Sequence, residues 1–117
     1  MARPGQIVTF RAPAPVAARA IVTFGAADGE VVAASAVSNT LLGVAEQIGS
    51  RDNGTVDVIL SGIAEVVAGG NITRGMALTV NAQGQAVAVS AGTDSVIGIA
   101  MQNAVANDII DVLILQG

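Results

Sequence analysis

The sequence predicts an all-β fold, a small β-barrel or sandwich built from two similar β-units behind an N-terminal arm. Three observations carry that prediction. Apolar residues come in short runs rich in Val, Ile and Leu, and Gly, Asn, Asp and Ser separate those runs at hairpin-like intervals. The chain also matches itself when slid by 55 positions, Gly29 falling on Gly84 and Gly43 on Gly98. At 117 residues there is room for one domain, and with only Phe10 and Phe24 aromatic its core must be made largely of Val, Ala, Ile and Leu.

Taken in order, residues 6–11 form the first candidate strand. Ala12-Pro13-Ala14-Pro15 ends it, because two prolines remove the N–H donors that a continuous ladder needs. Residues 20–24 and 30–34 follow, joined through Asp28-Gly29, whose glycine supplies the positive φ of a tight hairpin. The stretch 41–47 has the Ala and Leu content of a helix, but Gly43 in its middle and the internal repeat favour a strand. Asn53-Gly54 turns the chain into 55–61, and 63–67 completes the first half. Gly69-Gly70 reads as a flexible joint and not as a phosphate cradle, since no strand-then-helix pattern surrounds it. The second half runs through 76–80, 85–90 across Gln83-Gly84, 96–102 and 109–116.

The repeat sets the organisation. Gly29-Glu30-Val31-Val32-Ala33-Ala34-Ser35-Ala36 falls on Gly84-Gln85-Ala86-Val87-Ala88-Val89-Ser90-Ala91, and Leu42-Gly43-Val44-Ala45-Glu46-Gln47 on Ile97-Gly98-Ile99-Ala100-Met101-Gln102. Arg19 falls on Arg74, and Ile59-Leu60-Ser61-Gly62 on Ile114-Leu115-Gln116-Gly117. The expected division is an arm, 1–15, and a single β domain, 16–117, made of repeats 16–62 and 71–117 that share one core because neither carries enough apolar bulk alone. The same shortage favours burial of more apolar surface in a homo-oligomer.

Composition excludes several function classes. There is no His, Cys, Lys, Trp or Tyr, so the usual general bases, thiol nucleophiles, Schiff-base amines and soft metal ligands are missing. Without Lys there is also no phosphate-binding Gly-Lys-Ser/Thr motif. A net charge of −4 opposes binding to nucleic acid. Every apolar stretch is interrupted well before the length of a spanning helix, and Ala2-Arg3-Pro4-Gly5-Gln6 does not read as a signal peptide, so no membrane partner is expected.

Carboxylates are the remaining chemical candidates. Asp52, Asn53 and Asp57 lack the alternating acidic spacing and distal Glu of a calcium loop and read as a hairpin turn. Asp108 with Asp111, or Glu46 with Glu65, would be a possible hydrolytic pair, but there are no aromatic platforms for sugar and strand-end positions account for them. No catalytic site, cofactor or metal is expected. The rival class, a small carboxylate-dependent hydrolase, would require one of these pairs.

Ile7-Val8-Thr9-Phe10, Ala12-Pro13-Ala14-Pro15-Val16, Leu42-Gly43-Val44-Ala45 and Val56-Asp57-Val58-Ile59-Leu60-Ser61-Gly62, in that order, resemble the phage capsid decoration, or cement, proteins. Arg74-Gly75-Met76-Ala77-Leu78-Thr79-Val80, Val96-Ile97-Gly98-Ile99-Ala100 and Asp111-Val112-Leu113-Ile114-Leu115 continue the resemblance, and this half is also similar to the head decoration proteins of lambda-like phages. The resemblance implies a virion structural protein, made in the bacterial cytoplasm, that binds the major capsid protein on the outer surface of the expanded head and stabilises capsomer contacts. It also implies a homo-oligomer, a trimer in preference to a dimer. The alternative is another virion β-module, such as a fibre base, a head–tail joining component or a coat component.

Two groups of residues are candidates for such contacts. In the arm, Arg3, Pro4, Gln6, Phe10 and Arg11 lie on an extended segment able to add to a capsid sheet edge and to meet acidic side chains, the plainer reading being an ordinary first strand. Arg19 and Arg74, at repeat-equivalent places, are candidates for ion pairs across a subunit or capsid boundary, the plainer reading being solvated strand-end charges.

Overall fold

The computed structural model describes residues 3–36, 40–46, 49–50, 54–90, 92 and 94–115, and all of its regular structure is β. The strands are β1 (Arg3–Pro4), β2 (Ile7–Arg11), β3 (Ile21–Phe24), β4 (Val31–Ala33), β5 (Leu41–Ala45), β6 (Thr55–Ile59), β7 (Gly62–Val67), β8 (Ala77–Val80), β9 (Ala86–Ala88), β10 (Gly98–Ala100) and β11 (Ile109–Ile114). Each stretch expected as a strand contains one. β1 is additional: two residues whose proline sits where an edge strand can tolerate a missing donor. The 41–47 stretch is strand and not helix over Leu41–Ala45; Gln47 and Ile48 lie outside the described residues.

Two antiparallel sheets result. The first has the order β2-β6-β5-β3-β4 and the second β1-β7-β11-β10-β8-β9. Apart from β1 the orders are the same, with β2, β6, β5, β3 and β4 answered by β7, β11, β10, β8 and β9. In each sheet a parallel bridge links the end of its first strand to its last, Arg11 to Glu30 and Ala68 to Ala86, so each sheet curls towards a small barrel. The pairing places 7–11 in the first sheet and 62–67 in the second, so the crossing between sheets falls at Leu60–Ser61 and Gly69-Gly70 lies within the second half.

Turn chemistry follows the glycines, with φ of 77° at Gly29 and 75° at Gly84, a region open to glycine at little cost. A second glycine position has a different cause. A Cβ at Gly43 would collide with the carbonyl oxygen of Ile59, and one at Gly98 with that of Leu113, so β5 and β10 can lie against their partners only without a side chain.

Two buried clusters fill the molecule. Val22, Val31, Ala45, Val56 and Val58, with Phe10, Leu42 and Leu60 against them, line the inside of the first sheet. Val66, Leu78, Ala86, Ala100, Ile110 and Val112 do the same in the second, and Ile21, Val44 and Ile59 of the first sheet join that second cluster. Successive strand residues point to opposite faces, so Ile21 and Val22, Val44 and Ala45, and Val58 and Ile59 divide between the clusters. The first sheet is therefore apolar on both faces.

Candidate interaction surfaces

The arm is held by main-chain bonds. Gly5 N–H donates to the Ser61 carbonyl at 2.9 Å, Gln6 N–H to Ser61 Oγ at 2.9 Å, and Leu60 N–H to the Gln6 carbonyl at 2.8 Å. Arg3 and Pro4 pair through β1 with Ile63 and Gly62, and Gln6 is exposed. β2 stands at the edge of the first sheet, with Ile7 45% exposed. Its alternate residues face in, and Phe10 packs against the first core. Arg11 is exposed, and its Nη2 donates to Glu30 Oε2 at 2.6 Å, tying β2 to the start of β4.

Arg19 and Arg74 occupy different surroundings. Arg19 adopts a φ of 61° in the turn before β3, accepts from Val67 N–H at 3.5 Å and donates from Nε to Glu65 Oε1 at 3.2 Å. It joins the two sheets through a half-buried ion pair. Arg74 lies exposed in the corresponding turn before β8, where its backbone N–H donates to Asn103 Oδ1 at 2.8 Å. The left-handed residue of that turn is Gly75, with φ 89°, so Gly75 is the backbone counterpart of Arg19, and Arg74 comes one residue earlier.

The carboxylates serve local structure. Asp57 accepts from Thr9 Oγ1 at 2.6 Å, Asp108 accepts from Val105 N–H at 3.0 Å, and Asp111 sits opposite Glu65 in the β11–β7 register. Asp52 and Asn53 lie outside the described residues. Among the described residues no three Asp or Glu side chains gather as a metal site would require.

The conspicuous surface is apolar, and the residue-by-residue reading did not single it out. On the outside of the second sheet Ile63 pairs with Leu113 and Leu113 with Ile99, forming a row across β7, β11 and β10. Leu113 is 40% exposed and Ile109, on the same face, 49%. Nearby, Phe24, Leu41, Leu42, Val96 and Leu115, together with the polar Thr40 and Ser95, line an open groove of about 400 Å³ between the halves. The available signal was the alternation in β11, where Ile109 and Leu113 take outward positions that a solvated sheet gives to polar residues.

A molecule with exposed apolar area and carboxylates engaged in local structure is suited to holding other proteins. The model of the phage cement protein family matches residues 2–115. The chain belongs to that family. This cement protein is thus a structural component of the phage particle that decorates the capsid. No curated protein sequence matches it significantly. Among solved structures it is similar to the head fibre gp8.5 N base of bacteriophage phi29, with a TM-score of 0.72 and 23% identity over 94% of this chain and 93% of that one. That likeness shows a shared fold.

Proposed function

We propose that the cement protein binds the outer surface of the expanded head, through the major capsid protein, as a homo-oligomer of three copies. The supporting observation is the family match over 2–115, joined to a surface with exposed apolar area. One rigid oligomer presenting several weak contacts gains from effective concentration, so no single contact need be tight. The capsid-facing element is the arm with β2: Arg3, Pro4 and Gln6, with Arg11 beside them and Phe10 anchoring the strand from within. The edge of β2 on the N-terminal side of the Arg11–Glu30 bridge can accept a capsid strand by β-augmentation, leaving the outward side chains of the strand to a second copy.

The test is titration of the purified protein onto expanded heads that lack it. Saturation near one copy per capsid subunit is expected, with little binding to unexpanded heads. Absence of saturable binding to competent heads would overturn the reading and favour a fibre base or joining role, for which the only support is the fold shared with the phi29 head fibre base.

A further inference from the structure

The two sheets allow a residue-for-residue comparison of their outer faces. In the first, Ile7 pairs with Ile59, Ile59 with Val44 and Val44 with Ile21. In the second, Ile63 pairs with Leu113, Leu113 with Ile99, and Ala77 with Ile99, so the two rows are structural counterparts. Their environments differ. Ile59, Val44 and Ile21 are 4%, 0% and 0% exposed and belong to the core cluster of the second sheet, with Ile7 at the edge of that row 45% exposed, whereas Leu113 is 40% exposed and Ile63, Ile99 and Ala77 are half-buried.

Ile59, Val44 and Ile21 are covered by the second half of the chain. β5 contacts β7; the Gly84 carbonyl, in the β8–β9 turn, accepts from Ile21 N–H at 2.9 Å; and Arg19 reaches Glu65 on β7. The counterparts of that covering surface in the first half are β2 and the β3–β4 turn, where Asp28 and Gly29 are exposed and the Gly29 carbonyl also accepts from Arg11 N–H of its own chain at 2.9 Å. The chain therefore carries one interface made internally and the two matching halves of a second left open, a donor row on its second sheet and an acceptor on its first.

We propose that a second copy of this chain covers the row Ile63–Leu113–Ile99–Ala77 with its β2 and β3–β4 turn, repeating between molecules the contact made within each one. Charge is placed similarly but not identically: Arg74 lies beside the donor row one residue before Gly75, the counterpart of Arg19, and on the partner copy Thr9 with Asp57 occupies the place of Glu65 with Asp111. Such an interface is heterologous, joining unlike surfaces, and its repetition closes into a ring when the rotation permits. The inference rests on the proposed homo-oligomer and specifies its surface and polarity.

The experiment uses the full chain and two single-face variants, Leu113→Arg for the donor and Asp28→Arg for the acceptor, with mass read by native mass spectrometry and light scattering. Wild type should form a closed oligomer, each variant alone a monomer that still unfolds cooperatively but at a lower temperature, and an equal mixture a one-to-one heterodimer that grows no further. A donor variant that stays oligomeric overturns the surface, and an acceptor variant that stays oligomeric overturns the head-to-tail polarity. Should Leu113→Arg fail to fold, Leu113→Ser is expected to fold and shift assembly to higher concentration; unchanged assembly would count against the row. Wild type that is monomeric in solution but saturates heads overturns this inference and leaves the cement function standing.

Discussion

Val44 and Ile59 lie under the second sheet at 0% and 4% exposure, while Leu113, in the place of Ile59, is 40% exposed. Their inward neighbours do not differ in this way: Val58 and Val112, Val56 and Ile110, and Ala45 and Ala100 are all buried. Inward positions thus hold two copies of one barrel, and outward positions record what each copy rests against. A duplicated unit that keeps the same apolar outer row in both copies can cover only one of them with its own chain. The difference between the halves is therefore one of neighbours more than of fold.

The comparison can be broken most forcefully at the paired glycines. Gly43→Ala and Gly98→Ala each push a methyl into a carbonyl of the adjoining strand, and each should destabilise by about 3 kcal/mol or more, read by urea unfolding. A tolerated substitution at one site alone would mean that the sheets do not share this crossing. A smaller contrast lies at two equivalent threonines. Thr23 Oγ1 donates to the Thr40 carbonyl at 2.7 Å, whereas Thr79 Oγ1 is buried without a partner. Thr23→Val should cost about 1 kcal/mol, and Thr79→Val should be neutral or stabilise by up to about 1 kcal/mol. Equal losses at both would assign Thr79 a bond of its own. The weakest test compares the ion pairs. Glu65→Gln, which breaks the half-buried link between sheets, should cost about 0.5–1 kcal/mol, and Glu30→Gln, whose Arg11 partner is 66% exposed, less than about 0.5 kcal/mol in thermal melts.

Much of this was legible in the residues because strands and turns are local. Val56, Val58 and Ile59 announce a buried strand, and the glycines of Asp28-Gly29 and Gln83-Gly84 sit where positive φ is needed. β1 was hidden, since a two-residue strand has no period to detect. The irregular pairing between Val22 and Thr23 was hidden too; it reverses the facing that strict alternation from Val44 would give, so Leu41 packs against the second core and Leu42 against the first. Such one-residue slips explain why an ungapped shift aligns Arg19 with Arg74 when their turns match Arg19 to Gly75. The facing of Phe10 was available from the alternation of β2. The apolar row on the second sheet could not be separated from core by composition, because its counterpart in the first sheet is core.

β1 has a consequence for the order in which the protein can be completed. Its partners, Gly62 and Ile63, are encoded after the whole first sheet. At a synthesis rate of about 5–20 residues per second, Arg3 and Pro4 leave the ribosome several seconds before the strand that receives them exists. The first sheet can meanwhile close on itself, because every strand it contains has already been made. The opening residues then act as a late clasp, fastened only after translation has begun the second barrel.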